Sequence, residues 1–202
     1  MTQGAQCDKH RKQFFDQVAD GWVERNYSPE QKNKVGEMLS ILGDVRGLTI
    51  LDVGCGQGVL LPFLRQRAGH TARLIALDSS APMLRGVSER DAHALSLHAC
   101  AEHIPLIDNY VDLVVCFSAF PHFTDKAAAA REFFRVLKPG GKAYVLHIGS
   151  RDAINRHHDQ YEAVAGDYLP CAHTMRTMFT EAGFSAVSLD EGDGHYYFSA
   201  VK

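Results

Sequence analysis

Short apolar runs alternating with helix-patterned stretches from Leu48 onward predict an α/β fold, a doubly wound and mostly parallel sheet with helices on both faces. Two observations carry this. The runs at residues 48–53, 73–78 and 111–117 are almost continuously apolar, which is what strands covered on both faces require. The first of them, with Ile50, Leu51 and Val53, feeds directly into a glycine turn, Gly54-Cys55-Gly56-Gln57-Gly58, where backbone amides can approach a ligand without side-chain obstruction.

The elements follow in order. Phe14, Phe15, Val18 and Trp22 recur on one helical face, so the opening segment reads as an amphipathic helix packed as a lid or flank. Ser28-Pro29-Glu30-Gln31 starts a second helix: a serine N-cap, proline at the first helical position, and glutamine three residues after the serine. Its apolar stripe is Val35, Met38, Leu39 and Leu42. After Gly43 come a strand at 48–53, helix at 59–67, strand at 73–78, helix at 82–90, short strand at 95–99, strand at 111–117, helix at 124–137 and strand at 142–148. Lys138-Pro139-Gly140-Gly141 reads as the turn before the last of these, because proline cannot continue a helix.

Residues 150–170 are the least regular and hold the adjacent His157 and His158, which suggests an inserted helix and loop over one end of the sheet. Met175, Met178, Phe179 and Ala182 form a last helical stripe closed by Gly183. Strand-like runs at 184–189 and 195–201, joined by Glu191-Gly192-Asp193-Gly194, pair antiparallel because the connection is short. The expectation is one domain over 1–202: N-terminal helices or lid at 1–43, a cofactor-binding core at 44–149, a cap insertion at 150–171, and a C-terminal helix and strand pair at 172–202.

With 202 residues, 46% of them hydrophobic and 22% charged, the chain has the balance of a globular protein, and its formal charge of -3 offers no footprint for nucleic acid. The five cysteines, Cys7, Cys55, Cys100, Cys116 and Cys171, are scattered without a C-x-x-C pair and read as reduced thiols. No apolar run approaches the roughly 20 residues that span a bilayer. A cytoplasmic protein with no membrane partner, monomeric or homodimeric, is expected.

The spacing of the turn narrows its ligand. A dinucleotide fingerprint wants G-x-G-x-x-G, but the third place after Gly56 is Val59, so the pattern is G-x-G-x-G with Asp52 two residues ahead. A carboxylate there would repel a pyrophosphate and suits a ligand bearing an ammonium or sulfonium group. At this point the chain resembles the class I S-adenosylmethionine-dependent methyltransferases, in particular the small-molecule branch with a type-11 methyltransferase domain. The resemblance runs from about Phe14 to the C-terminus, and its later landmarks are the turn Cys100-Ala101-Glu102-His103-Ile104-Pro105-Leu106, the strand Asp112 to Phe117, and the approach Phe133 to Gly141.

That resemblance implies a Rossmann-like seven-stranded sheet with one antiparallel C-terminal strand, N-terminal helices and a helical cap. It implies S-adenosyl-L-methionine as cofactor, leaving as S-adenosyl-L-homocysteine. Asp52, Gly54, Cys55, Gly56 and Gly58 would wrap its methionine part and Asp78 its ribose hydroxyls. Ser79, Met83, Ala101, Glu102 and Phe117 would complete the site. A carboxylate suits Asp78 because each oxygen can accept one hydroxyl proton.

Methyl transfer is an in-line displacement in which the nucleophile must be held about 3 Å from the methyl carbon. A base is needed only where the nucleophile arrives protonated, and His122 and His147, at the ends of the fourth and fifth strands, are the candidates. His147, His157 and His158 could alternatively assemble a metal site. The residues after the fourth strand, Phe117-Ser118-Ala119-Phe120, lack the N/D-P-P-Y-type motif of enzymes that methylate nucleic-acid bases, which favours a small-molecule acceptor. Two other classes remain open: a non-catalytic cofactor- or metal-binding module on the same fold, and a nicotinamide-dependent oxidoreductase, against which Val59 and Asp52 both argue.

Overall fold

The structure is a computed structural model and describes residues 8–202. Its strands are β1 (Thr49–Val53), β2 (Arg73–Asp78), β3 (Leu95–His98), β4 (Val111–Phe117), β5 (Leu137–Ile148), β6 (Ser185–Gly192) and β7 (His195–Val201). They form one seven-stranded sheet in the order β3-β2-β1-β4-β5-β7-β6. Every pairing from β3 to β5 is parallel, whereas β7 runs antiparallel to both β5 and β6. The expected Rossmann-like sheet with one antiparallel C-terminal strand is the sheet found.

Alternation along the strands divides the core. Leu51 and Val53 of β1 join Val114 and Cys116 of β4 on one face, under α7 (Lys126–Val136) and α9 (Ala172–Glu181). Phe179 of α9 anchors that side, its ring 4.4 Å from Phe198 and 5.2 Å from Phe184. Ile50, Leu113 and Val115 face the other way, against Val35 and Met38 of α3 (Pro29–Met38) and Leu61 and Leu64 of α4 (Leu61–Ala68). Asp52 is on this second face by period, yet it is 2% exposed in an otherwise apolar strand. Period alone gives no reason for a carboxylate there.

The start of α3 is as the sequence requires: the Ser28 side chain accepts from the Gln31 amide at 3.2 Å, and the Gln31 side chain accepts from the Ser28 amide at 2.8 Å. Ser28→Ala removes one arm of this capping box, and a loss of about 1 kcal/mol is expected from urea unfolding.

Four local expectations need correction. The stripe from Phe14 to Trp22 is carried by two helices, α1 (Lys9–Val18) and α2 (Trp22–Asn26), because Gly21 at φ 62° turns the chain between them. The stretch 82–90 likewise divides into α5 (Ala81–Leu84) and α6 (Val87–Arg90) around Gly86, where a Cβ would sit 2.8 Å from Gln57. Lys138 to Gly141 is a bulge within β5, since Val111 pairs with Leu137 and Leu113 already pairs with Lys142. The hairpin β6-β7 turns on Asp193-Gly194 alone, Gly192 pairing with His195.

Between β5 and α9 lie α8 (Arg151–His158) and a 3-10 turn (Glu162–Val164), the irregular segment the sequence marks out. Cys55, Cys116 and Cys171 are free, but Cys100 is disulfide-bonded, which departs from a fully reduced set. Cys7 lies outside the described residues. Among the described residues no helix is long and apolar enough to cross a membrane.

Candidate active site

Strand order reverses between β1 and β4, and in an open α/β sheet that switch opens a crevice at the carboxyl ends of the strands. A cavity of about 530 Å³ lies there. Its floor comes from the glycine turn after β1, from Asp78 and Ser79 at the end of β2, and from Phe117, Ser118 and Ala119 at the end of β4. The outer wall is α1, Trp22 and Tyr27, together with His157, His158 and Tyr161 of the cap.

The glycine turn is fixed from below. Gly54 and Cys55 both donate their amides to the Leu77 carbonyl, at 2.8 and 3.0 Å, and the Gly56 amide donates to Asp78 Oδ2 at 2.8 Å. Gly54 has φ 71°, and a Cβ on it would lie 2.3 Å from the Ala119 Cβ, so no other residue fits. Gly58, at φ 81°, turns the chain toward α4 and does not line the cavity. Gly54, Cys55, Gly56, Asp78, Ser79, Met83, Ala101, Glu102 and Phe117 all line it.

The other oxygen of Asp78 accepts from the Ser80 amide at 2.8 Å, so the carboxylate ties the glycine turn to the loop after β2. Burial pushes its carboxyl up, and the backbone amides pull only part of the way back. Glu102 is committed to the backbone, accepting from Thr124 at 2.8 Å and Asp125 at 3.2 Å, so its carboxylate braces the loop before α7. The Cys55 thiol is pushed well up by burial and is no nucleophile.

Asp52 is the unusual group. It lies behind the turn rather than in the cavity lining, both its oxygens are buried, and neither has a hydrogen-bond partner. Burial, and then the charge of Asp78, push its pKa up to about 8. A buried carboxylate with nothing to satisfy it is costly unless a cation completes its surroundings. That chemistry fits a ligand with an ammonium or sulfonium group better than one with a pyrophosphate.

His122 and His147 part company. His122 lines the cavity, its Nδ1 2.8 Å from Asp167 Oδ2. His147 does not: it is buried with its ring edge-on to Tyr196, its Nε2 has no partner, and burial pushes its pKa down to about 3. Among the described residues no group of three His, Cys, Asp or Glu side chains is placed to hold a metal ion, so His147, His157 and His158 do not assemble one.

Arg11 lines the wall and Asp167 is buried behind it, and the sequence singled out neither. Arg11 Nη2 lies 2.6 Å from Asp167 Oδ1 and joins α1 to the cap. Gln57 also went unnoticed; its side chain accepts from the Val23 amide at 3.1 Å and ties α2 to the turn. No periodicity marks such residues, because the contacts join segments far apart in the chain.

The methyltransferase domain family matches residues 51–145, which span the glycine turn, β2 and β4. The ubiquinone/menaquinone biosynthesis C-methyltransferase of Klebsiella pneumoniae is 30% identical over 171 residues, 70% of this chain and 68% of that protein. The chain belongs to the class I S-adenosylmethionine-dependent methyltransferases. A malonyl-[acyl-carrier protein] O-methyltransferase from Hamiltonella defensa is 35% identical over 131 residues, but this methyltransferase spans only 49% of that relative's length.

Solved structures agree on the fold. An Aquifex aeolicus S-adenosylmethionine-dependent methyltransferase superposes with a TM-score of 0.68, covering 94% of this chain and 97% of that one at 21% identity. A Haemonchus contortus phosphoethanolamine N-methyltransferase in complex with S-adenosyl-L-methionine gives 0.76, covering 95% of this chain and 60% of that one at 18% identity. For this methyltransferase, Asp78→Ala removes the carboxylate from both the Gly56 and Ser80 amides. About a tenfold loss of S-adenosylmethionine affinity is expected by calorimetry.

Proposed function

We propose that the protein transfers the methyl group of S-adenosylmethionine to a small-molecule acceptor seated under the cap, with His122 taking the acceptor's proton. The observation that carries this reading is that one cavity joins the glycine turn and Asp78 to His122. When bound, S-adenosylmethionine supplies an electrophilic methyl carbon on a sulfonium. In this reading Asp78, Ser79, Met83 and Ala101 receive the nucleoside end, Gly54 to Gly56 receive the methionine end with Asp52 behind them, and Trp22 and Tyr27 exclude water from above.

Tyr27 suits that role. Burial pushes its phenol up to about 12, so it stays neutral, and its ring lies 6.1 Å from Phe117. Ser118 beside it is held at φ 52°, a conformation that L-residues rarely adopt and that concentrates at functional sites. The small-molecule reading is supported by the acidic balance of the chain and by the aromatic-walled cavity of about 530 Å³, a volume that suits a compact ligand.

Calorimetry with S-adenosylmethionine, S-adenosylhomocysteine and NAD, followed by label transfer from methyl-labelled S-adenosylmethionine to a panel of small hydroxyl, amine, thiol and carboxylate compounds, tests it. Binding of the first two and labelling of a small molecule is the expected result. Tight binding of NAD alone would overturn the reading.

A further inference from the structure

We infer that Asp167 of the cap is a positioning residue that holds His122 as a neutral base with its Nε2 free for the acceptor, and that the acceptor's reacting atom arrives as a hydroxyl. The inference rests on the methyl-transfer reading above and names its acceptor class. The geometry begins with Asp167, which is 1% exposed and makes three separate contacts. Its Oδ2 meets His122 Nδ1 at 2.8 Å, its Oδ1 meets Arg11 Nε at 2.8 Å, and its backbone carbonyl accepts from His158 Nδ1.

A carboxylate only accepts, so the proton of neutral His122 is fixed on Nδ1. Nε2 then carries the lone pair. It makes no hydrogen bond among the described residues and is not one of the buried unpartnered atoms, so it is the edge left for the cavity that His122 lines. The ring is held in place by Phe15, 5.1 Å away, and by His158, 4.8 Å away.

The charges around His122 are Asp167, His158, Lys126 and His147, with Arg11 acting through Asp167. Burial lowers the His122 pKa, and the hydrogen bond to Asp167 restores part of it. Burial raises Asp167, and its bonds to His122 and Arg11 outweigh that, leaving the carboxyl below its ordinary range. The pair is therefore a neutral imidazole backed by a carboxylate at pH 7, the arrangement that stabilises an imidazolium as it forms.

Such a pair has work only if the acceptor loses a proton. A carboxylate acceptor arrives already ionised, a neutral amine attacks through its own lone pair, and a thiol ionises readily at about pH 8.5, so a hydroxyl is the acceptor that most needs the base. For a hydroxyl, the oxygen forms its bond to the methyl carbon as its proton passes to His122 Nε2. The methyl carbon–sulfur bond breaks with its electron pair going to sulfur, and the imidazolium, paired with Asp167, later gives the proton to water. The flanking rings of Phe15 and Phe123 favour a flat apolar body bearing that hydroxyl.

The test is ¹⁵N NMR of the full chain, with His122 assigned by its loss in His122→Gln, using phenol and methoxybenzene as probes. In the wild type the Nδ1–H tautomer is expected, and phenol should shift His122 Nε2 while methoxybenzene, which lacks the proton, does not. Asp167→Asn should move the His122 titration to lower pH and reverse the tautomer, and Asp167→Glu should restore the wild-type form. Arg11→Gln, which loosens α1 and leaves the carboxylate on His122, should keep the tautomer. An Nε2–H tautomer in the wild type, or a titration indifferent to Asp167→Asn, overturns the positioning role. Equal responses to the two probes overturn the hydroxyl assignment. These readouts need no S-adenosylmethionine, so they stand or fall separately from failure to bind it, which would instead remove the methyl-transfer reading.

Discussion

Replacing Asp52 by asparagine is expected to weaken S-adenosylmethionine binding by about 10- to 100-fold while making the ligand-free protein more stable than wild type at pH 8. Both effects come from one buried carboxyl whose two oxygens have no partner. Its pKa in the folded chain is about 8 against an ordinary 3.8, with burial the main cause and Asp78 the second. Between those values the folded state holds a proton that the unfolded state has released, so stability falls as pH rises from about 4 to about 8 and levels beyond.

Asparagine cannot ionise, so the variant should show no such decline, and thermal unfolding from pH 5 to 8.5 reads the difference. Binding has the opposite sign. A cationic ligand favours the ionised carboxyl, so the wild type should release a proton on binding at pH 7 and bind more tightly as pH approaches 8. Calorimetry in two buffers of different ionisation enthalpy measures that proton. If the wild type releases none and Asp52→Asn binds as well, Asp52 is not the counter-charge of the ligand.

The central strands were legible because burial on both faces leaves almost continuous apolar runs, and β2 and β4 begin and end where those runs do, whereas β7 shows through one-faced alternation. The capping box at Ser28 was legible for the same local reason, since four consecutive residues contain the whole motif. Breaks inside helices were harder to see: Gly21 and Gly86 are ordinary glycines in a string, and only the left-handed turn at one and the close approach of Gln57 at the other give them meaning. Lys138 to Gly141 misled because proline and glycine mark a bulge as readily as a turn.

Within the site, residues next to a strand end could be found by counting from the strand. Asp167 could not. It lies 45 positions from His122 in a segment without period, and only the folding of the cap over the sheet brings the two together. His147 shows the converse. It ends a strand as His122 follows one, yet the alternation along β5 turns it into the core against Tyr196 and out of the cavity lining. Sequence position narrows candidates to the strand ends, and side-chain direction chooses among them.

That choice makes His122→Gln the sharper test of the chemistry. Glutamine keeps a polar group beside Asp167 but cannot accept a proton, so turnover on the labelled acceptor should fall by about 10²- to 10⁴-fold. S-adenosylmethionine affinity should stay within about twofold, because none of the groups placed around the cofactor is altered. The pH profile carries the sign. His122 is held below its ordinary 6.5, chiefly by burial, so wild-type turnover should be flat near neutrality and fall on the acid side as the imidazole takes up a proton. The acid limb should vanish with His122→Gln and persist with His147→Gln, whose imidazole is already neutral throughout this range. If the limb survives in the first variant, another group takes the proton; if turnover is unchanged as well, the acceptor reacts without a base and positioning alone carries the reaction.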